Sequence, residues 1–502
     1  MRKGSQFDEK SMSVIIGKSQ YLVAPAGVVS NGSITCSRYL TYSNYAVFLG
    51  DKCAHTIIYS EDRSAMLLGY IVDSEGEETS VDRLLSGFLS TIQTDSSNVA
   101  ECVKYWGGRW CLLYVVAGSI NVITDACGLK QVFYYTYTQK QFFTVASQAR
   151  YISSIYSLGI SAIAQSHIQR ATKDNKEYSW PVDSTAYDCV KRLLPNHLLS
   201  EGGDSPQRYN LSRYRNSHPS ERMAALLKNQ MRGLQLRNKC AITLTAGLDS
   251  RLVLAAADKN DAHLAIVTLK YIDVSESCDD IVIPVKLSQE VGFVHKIIVC
   301  KPINNAFLKR YEEHGENAHP YWTQMAQSVE ENGYDDFFWV KGSCNEVLRN
   351  SSGILYNWQV DSKVLCKLFQ IPYDEFSDNV LSQWIITARP YCKTNGISIL
   401  DLFYWEHRCG SWLSQCLNES DLVGETFTPF NCRAYLELGL SVNVKKRSAP
   451  SYRLFNKIIQ LCGLETDIPI NPGRNGSLKS FCKSLLKNRL HMLYWLFLQL
   501  AR

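Results

Sequence analysis

The sequence lacks the patterns that mark secreted disulfide-bonded proteins and membrane proteins. Its 17 cysteines are scattered, with no CxxC pair and no regular spacing, and no apolar secretory segment follows the first residues. The longest candidate apolar run, Leu493 to Leu498, is too short to cross a bilayer. We therefore expect a cytoplasmic protein without a membrane span, in which several reduced thiols are buried as small hydrophobic groups.

The chain also lacks an excess of either charge. Lys and Arg number 53 against 48 Asp and Glu, which gives a formal net charge of +5 and argues against a nucleic acid partner. With 502 residues, of which 45% are hydrophobic, the chain exceeds the usual size of a single core. These numbers favour two domains and indicate no particular oligomeric state.

The most informative segment covers residues 241–257. Ile242 and Leu244 suit a buried strand, Gly247 suits a tight turn, and the residues after Asp249 suit a helix. Because the unpaired N–H groups of a helix start attract anions, this layout predicts a phosphate site. The turn matches neither a Walker loop nor a dinucleotide fingerprint. The candidate binding residues, which we call the 244–251 loop, are Leu244, Thr245, Ala246, Gly247, Leu248, Asp249, Ser250 and Arg251.

The 244–251 loop resembles the Ser-Gly-Gly-x-Asp-Ser loop of the asparagine synthetase family, whose members convert ATP to AMP and pyrophosphate while activating a carboxylate. Thr245 and Ala246 stand where Ser and the first Gly are usual, and they keep a hydroxyl and a small residue. The resemblance implies that the loop binds ATP, with Mg²⁺ contacted by Asp249. The structural alternative is an ordinary βα turn whose Gly and Asp only cap a helix.

The region before about Pro195 is predicted to be rich in strands. Residues 106–147 read as a meander, with its first turn at Ala117-Gly118. The order Gly-Arg-Trp, Thr-Asp-Ala-x-Gly, Phe-Tyr and Val-Ala-Ser resembles the N-terminal domain of asparagine synthetase relatives. It implies an α+β sandwich of the glutaminase, Ntn-like type over residues 1–210, followed by a synthetase domain over residues 211–502.

In glutamine-using members of this family, the nucleophile is a cysteine directly after the initiator methionine. Here Arg2 occupies that position, and the first cysteine, Cys36, lies in a predicted strand. A thiol without an adjacent α-amino group lacks that means of activation. We therefore expect a glutaminase-type fold without glutaminase activity.

The second half alternates between helix and strand patterns. It predicts a helix over 223–232, strands over 263–270 and 294–299, and a helix that begins at Asp279 and is capped by Gly292. The resemblance implies an α/β PP-loop domain of the ATP pyrophosphatase type.

Two polar residues of this half are further candidates for the site. The resemblance implies that Thr268, in the strand after the loop, lies beside the adenine, and the alternative is a plain central strand. Asp280 matches an acidic position of the family better than Asp279 does, and we assign it to catalysis. The alternative is a helix cap, which such an Asp pair often provides.

A second turn follows a predicted strand that ends at Val340. It resembles the family's Ser-Gly-Glu-Gly-x-Asp-Glu turn, shortened by one residue. Gly342 matches the first Gly and is implied in nucleotide binding, whereas Glu346 matches the final Glu and is implied in catalysis. Asn345 stands where Asp is usual.

This second turn leaves the general base unassigned. Ser343 or Cys344 stands where the family has a catalytic Glu, and neither is a carboxylic acid. Glu346 is then the catalytic candidate. It could position Mg²⁺, bind an incoming amine, or only pair with Arg349.

Residues 401–412 predict a helix with one apolar stripe and one polar surface. The stripe contains Leu402, Trp405, Cys409 and Trp412, and the surface contains Asp401, His407 and Arg408. Members of the family also carry a downstream lysine that neutralises the phosphates. The candidates for this cation are Lys445, Lys446, Lys457 and Arg453.

These resemblances predict a carbon–nitrogen ligase that uses ATP and Mg²⁺ and releases AMP and pyrophosphate. It would adenylate the carboxylate of a small molecule, a saccharide or a peptide, and an amine donor would then attack the acyl-adenylate. One alternative is a peptide or β-lactam-type cyclase of the same family. Another is a non-catalytic relative that binds nucleotide or a partner protein.

Overall fold

The protein is a mixed α/β chain with several sheets. The computed structural model describes residues 14–29, 34–76, 78–137, 142–173, 177–203, 205–212, 218–471 and 491–500. Arg2, on which the expectation of no glutaminase activity partly rests, lies outside the described residues.

Fourteen described strands belong to the first part of the chain. In order they are β1 (Val14–Ile15), β2 (Tyr21–Pro25), β3 (Ile34–Thr35), β4 (Arg38–Tyr42), β5 (Tyr45–Leu49), β6 (His55–Ser60), β7 (Arg63–Asp73), β8 (Trp106–Val116), β9 (Ser119–Thr124), β10 (Phe133–Tyr137), β11 (Phe142–Ala146), β12 (Lys191–Arg192), β13 (His197–Ser200) and β14 (Gln207–Arg208).

Helices lie between and after these strands. They are α1 (Val81–Thr91), α2 (Val99–Cys102), α3 (Ala149–Tyr156), α4 (Ala162–Thr172), α5 (Pro219–Gln235), α6 (Leu248–Ala256), α7 (Asp279–Val291), α8 (Asn305–His314), α9 (Pro320–Glu331), α10 (Ser362–Phe369), α11 (Glu375–Asn395), α12 (Ile399–Phe403), α13 (Ser414–Ser420), α14 (Arg433–Ser441), α15 (Val444–Arg447), α16 (Arg453–Leu461) and α17 (His491–Leu500). Two short 3-10 helices, Asn345–Leu348 and Asn357–Gln359, and a π-helix, Tyr404–Leu413, complete the set.

Strands β2 to β14, except β3, form two six-stranded antiparallel sheets. Their orders are β12-β10-β11-β2-β5-β4 and β14-β13-β9-β8-β7-β6, and β1 pairs with β3 separately. Strands β8 and β9 pair through the predicted turn at Ala117-Gly118. The inner faces share one core, in which Val47 and Phe143 of one sheet join Met66 and Leu113 of the other. These alternating apolar residues produce a sandwich, as the sequence predicts.

Helices cover both outer faces of the sandwich. Phe88 of α1 packs with Trp110 on one outer face, and Ile152 of α3 packs with Leu22 on the other. Helix α1 begins at Ser80, whose hydroxyl accepts a hydrogen bond from the backbone N–H of Arg83 and so caps the helix start. The layers are therefore helix, sheet, sheet and helix.

The later part of the chain forms a five-stranded sheet in which every neighbouring pair is parallel. Its strands are β15 (Cys240–Thr243), β16 (Leu264–Tyr271), β17 (His295–Cys300), β18 (Phe338–Val340) and β19 (Thr426–Phe427), in the order β17-β16-β15-β18-β19. All five follow the predicted domain boundary at residue 210. The predicted helix from Asp279 is present, and Gly292 at its end has the left-handed φ of 83° that favours glycine.

Both faces of the parallel sheet are covered, which explains its nearly continuous apolar strands. On one face, Ile242 packs among residues of α5 and α6 such as Leu227 and Leu252. On the other face, Val267 packs with Phe307 of α8 and Val329 of α9. The ends of the strands are therefore the places where this sheet can offer polar groups to a ligand.

Buried charges join the sandwich to the later part of the chain. Arg109 of β8 is 1% exposed and donates two hydrogen bonds to Asp421, at 2.7 and 2.9 Å. Arg208 of β14 binds Glu406 of the π-helix in the same two-pronged way, at 2.9 and 2.8 Å. Paired guanidinium and carboxylate groups satisfy each other where water cannot reach them.

The structure corrects the expectation for residues 401–412. Asp401 and His407 are buried rather than on the surface. The Asp401 carboxylate accepts a hydrogen bond of 2.7 Å from Arg447, and His407 accepts one from the backbone N–H of Val182 at 3.2 Å. Much of the segment is a π-helix, whose wider turn changes which side chains share a face.

Among the described residues, no helix combines the length and apolar character needed to cross a bilayer.

The buried pair at the junction makes a prediction about stability. We expect Asp421→Asn to lower the free energy of unfolding by about 3 kcal/mol, because Arg109 would stay buried with only Glu425, at 3.3 Å, as a charged partner. The control is Asp336→Asn, which breaks an exposed pair with Lys239 and should cost less than about 1 kcal/mol. Urea unfolding of both variants measures the difference, and equal midpoints would contradict the prediction.

Candidate functional site

The 244–251 loop lies between β15 and the start of α6. The backbone N–H of Leu244 donates to the carbonyl of Val267 in β16 at 2.9 Å, which fixes the entry to the loop. Gly247 is the residue that caps α6, and its φ of −76° is extended backbone. The loop therefore occupies the carboxyl end of a central parallel strand, where open α/β sheets bind ligands.

Side-chain oxygens accept hydrogen bonds from the backbone N–H groups of this loop. The N–H of Thr245 donates to the Ser250 hydroxyl at 3.2 Å, and the N–H of Gly247 donates to the Thr245 hydroxyl at 3.2 Å. The N–H of Ala246 donates to the Asp280 carboxylate at 3.0 Å. The structure thus brings Asp280, predicted from a separate helix, into contact with the loop.

The remaining loop side chains point into the protein. Leu244 and Leu248 belong to the hydrophobic core, so only their backbone can meet a ligand. The Arg251 guanidinium donates to the carbonyls of Ile468 and Pro469. This contact shows that Arg251 anchors a later segment beside the loop.

Thr268 has a defined structural contact on the strand next to the loop. Its hydroxyl lies 2.8 Å from the carbonyl oxygen of Leu244, to which it donates. The same hydroxyl lies 2.9 Å from Nε2 of His295, whose pKa is lowered by burial. Thr268 is 2% exposed, so this hydroxyl ties β16 to the loop.

Gly342 lies against the start of α6. A Cβ atom at this position would lie 2.7 Å from the backbone nitrogen of Ser250 and 2.8 Å from the carbonyl carbon of Asp249. No real Cβ sits that close to backbone atoms, so glycine is needed for close approach. The second turn and the 244–251 loop are therefore packed backbone against backbone.

A network of polar side chains connects these two segments. The Asn345 amide donates to Asp249 at 2.7 Å, and the Tyr435 hydroxyl donates to the Asn345 oxygen at 3.1 Å. Arg349 lies 2.9 Å from Asp249 and 3.4 Å from Glu346. The predicted pair between Glu346 and Arg349 is present, and Arg349 bridges both carboxylates.

The two carboxylates share one electrostatic environment. Burial and the neighbouring Asp249 raise the pKa of Glu346 to about 7. Burial also raises the pKa of Asp249, although the charge of Arg349 opposes that change. A carboxylic acid with a pKa near neutrality is chemically suited to proton transfer.

A cavity of about 900 Å³ is connected to this network through Tyr404, one of the residues that line it. It is lined by Arg170 of α4 and by Tyr404, Arg408 and Trp412 of the π-helix. Burial and the Glu346 carboxylate raise the pKa of Tyr404, so the Tyr404 ring lies within electrostatic reach of Glu346. The Arg408 guanidinium stacks 3.4 Å from the centre of the Trp412 ring. The cavity thus offers flat aromatic surfaces together with cations.

The four predicted phosphate cations are all exposed: Lys445, Lys446, Lys457 and Arg453. Across the described ranges, no recorded side-chain contact joins any of them to the 244–251 loop. Arg349 is a cation that does contact the loop, through Asp249. Its spacing of three residues after Glu346 predicts only the pair with Glu346.

Comparisons with known proteins do not show a family. No protein-family model matches the sequence, and no curated protein matches it. Among solved structures, the chain is similar to a glutamine phosphoribosylpyrophosphate amidotransferase from B. subtilis complexed with ADP and GMP. The TM-score is 0.24 with 9% identity, over 65% of this chain and 76% of that one. Such a distant likeness carries no argument, so the resemblance to asparagine synthetases stays a prediction.

The close approach at Gly342 can be tested by adding one methyl group. We expect Gly342→Ala to lower the free energy of unfolding by about 1–3 kcal/mol, because the new Cβ must push the start of α6 away. The control is Gly87→Ala in α1, where a Cβ meets no atom within 4 Å and helix propensity improves. A Gly342→Ala protein as stable as the control variant would argue against this packing.

Proposed function

We propose that the protein is an ATP-dependent carbon–nitrogen ligase that forms AMP and pyrophosphate and has no glutaminase activity. The observation that carries the proposal is that three features meet at the carboxyl end of the parallel sheet. These are the start of α6, the carboxylates of Asp249 and Asp280, and the close-packed second turn at Gly342. Helix starts favour anions, and carboxylates favour the divalent cation that accompanies nucleotide phosphates.

The charges near the loop support Mg²⁺ as part of the ligand. Asp280 already contacts the loop through the N–H of Ala246, and two carboxylates beside a phosphate site would repel a bare nucleotide. Carboxylate oxygens are the ligands that Mg²⁺ prefers, so the donor chemistry of Asp249 and Asp280 fits this ion. When bound, Mg²⁺ would neutralise charge on the phosphates.

The loop itself would bind pyrophosphate through its backbone. The hydroxyls of Thr245 and Ser250 accept hydrogen bonds from the N–H groups of Gly247 and Thr245. Phosphate oxygens would take over these N–H donors, and the Ser250 hydroxyl, which donates to the carbonyls of Thr245 and Gly247 at 3.2 and 3.3 Å, would turn its proton to the phosphates. Arg349 would supply a positive charge beside Asp249.

The cavity lined by Tyr404 supports a carboxylate substrate larger than ammonia. Its volume of about 900 Å³ suits a carboxylate and an amine bound together. Aromatic rings such as Trp412 suit the faces of a sugar or a peptide side chain, and Arg408 and Arg170 suit a carboxylate. The substrate carboxylate would thus belong to a small molecule, a saccharide or a peptide, and the donor would be ammonia or an amine-bearing molecule.

A non-catalytic nucleotide-binding protein is the second candidate. One observation favours it. Cys344 is one of the two residues, with Ser343, that stand where the asparagine synthetase family carries a catalytic Glu. It is 1% exposed and offers no base to the cavity. Release of pyrophosphate in the presence of candidate substrates separates this candidate from the ligase.

The first test concerns nucleotide binding. We expect Asp249→Asn to weaken Mg-ATP binding by about tenfold or more, because it removes a charged Mg²⁺ contact, while Arg349 keeps Glu346 as a partner. Calorimetry with Mg-ATP measures the change, and circular dichroism checks the fold. Asp258→Asn, at an exposed residue after α6, is the matched control. Unchanged Mg-ATP affinity in the Asp249 variant would falsify the assignment of the loop.

The second test concerns Glu346. We expect Glu346→Gln to cut pyrophosphate release by about a hundredfold with little change in melting temperature, because amides cannot transfer the proton. Release is measured with Mg-ATP and a panel of amino acids, amino sugars and short peptides. The control is Glu330→Gln, which loses a similar ion pair with Arg310 at the surface. A lowered melting temperature with full activity would show that Glu346 only pairs with Arg349.

A further inference from the structure

Three cysteine thiols meet in the interior, next to the second turn that follows Val340. The Sγ atoms of Cys127, Cys344 and Cys409 all lie within 4.8 Å of one another. Each cysteine is at most 1% exposed, and none of the three forms a disulfide. We call this group the tricysteine cluster. Among the described residues, it is the one group of His, Cys, Asp and Glu side chains close enough to share a metal ion.

The cluster draws its members from three distant parts of the fold. Cys127 follows β9 in the sandwich, Cys344 lies in the turn after β18, and Cys409 lies in the π-helix. Scattered core cysteines usually pack singly as small hydrophobic groups, as Cys416 does in α13. Three thiols at one point differ from such single cysteines. They also differ from a disulfide pair, because a disulfide would join only two of them.

Two backbone features accompany the cluster. Cys344 has a φ of +76°, in the left-handed region that residues other than glycine rarely adopt. Cys409 lies in a π-helix, a rare form that is frequent at functional sites. Both features aim a thiol at the same point, and both cost conformational energy that the surrounding structure has to offset.

A cation accompanies the cluster: the charge of Arg408 acts on Cys409 and favours its ionised form, whereas burial raises the pKa of Cys127 and of Cys344. A thiolate is the form of cysteine that binds metals.

We propose that Cys127, Cys344 and Cys409 bind a thiophilic d¹⁰ cation, either Zn²⁺ or Cu⁺. Soft thiolate ligands select these ions, and a metal–sulfur distance of about 2.3 Å places three sulfurs about 4 Å apart, within the observed limit. Binding breaks the remaining S–H bonds, releases those protons to solvent and forms three metal–sulfur bonds without a change of oxidation state. A solvent molecule would complete the preferred four ligands of Zn²⁺, whereas three thiolates suffice for Cu⁺.

The ion would fasten the two halves of the molecule next to the candidate site. Cys344 directly precedes Asn345, whose amide holds Asp249. Cys127 is anchored through its backbone N–H, which donates to the Asn431 side chain at 2.8 Å. A metal bond between these segments would fix the second turn against the sandwich. This inference concerns binding of a metal and is independent of the proposed ligase reaction.

The test uses the full-length protein, expressed and purified under argon. Elemental analysis should find about one equivalent of zinc or copper per chain, and the element identifies which ion the site takes. We expect this metal to be lost in Cys127→Ser and Cys344→Ser. The matched control is Cys416→Ser, which removes another buried cysteine and should keep the metal.

A titration with Co²⁺ makes the test independent of the variants, since a serine in the core can prevent folding. Metal-free wild-type protein should take up about one Co²⁺ with an intense thiolate-to-cobalt absorption band, which Zn²⁺ then displaces. Absence of bound metal together with absence of this band would overturn the proposal. Metal retained in both folded cluster variants, or a disulfide between two of the three cysteines in peptide mass spectra, would do the same.

Discussion

The buried guanidinium of Arg109 is the constraint on which the arrangement of the two halves depends. A charge that is 1% exposed has lost its hydration, and the carboxylate that compensates it, Asp421, lies 312 positions later in the chain. Together with the charge of Glu425, Asp421 raises the pKa of Arg109 in spite of burial, so the guanidinium stays charged. Packing the halves together in any arrangement that did not bring Asp421 to Arg109 would leave this charge buried without its partner, and the cost would be large.

The need of a buried charge for a charged partner also holds the π-helix in place. Glu406 within it is fully buried and binds Arg208 of the sandwich, and the indole N–H of Trp384 donates to the same carboxylate at 2.8 Å. The neighbouring Trp405 donates to the carbonyl of Ala126 at 2.7 Å. Tyr404, beside these anchored residues, lines the large cavity. The wall of the cavity is therefore rigid because of contacts with the opposite half of the chain.

Sequence reasoning succeeded where the determining contacts are local. The strand before Leu244, the helix after Gly247 and the left-handed Gly292 follow from propensities and caps within about a dozen residues. It failed where the environment of a side chain depends on burial by distant parts of the chain. Asp401 looks like a surface residue until Arg447 comes within 2.7 Å, and no pattern near residue 401 contains that partner.

The candidate site likewise combines residues that the local sequence predicts with contacts that only the fold reveals. Gly342 and Glu346 are candidates because the turn after a predicted strand resembles a turn of the asparagine synthetase family, and the 244–251 loop is a candidate because its turn precedes a predicted helix and resembles the loop of that family. The bridge of Arg349 to Asp249 depends on close approach of the two turns, which parallel pairing of β15 with β18 produces. Sequence spacing within one turn cannot reveal a contact that another strand creates.

The contacts within the loop determine what a bound phosphate has to displace. Asp249 is held by Arg349 and Asn345, and the N–H of Ala246 is held by Asp280. A phosphate group that takes this N–H must displace a carboxylate, which is unfavourable unless a cation accepts that carboxylate at the same time. Nucleotide and divalent cation would therefore bind as one unit. Asn345, which contacts both Asp249 and Tyr435, would transmit the change into the second turn.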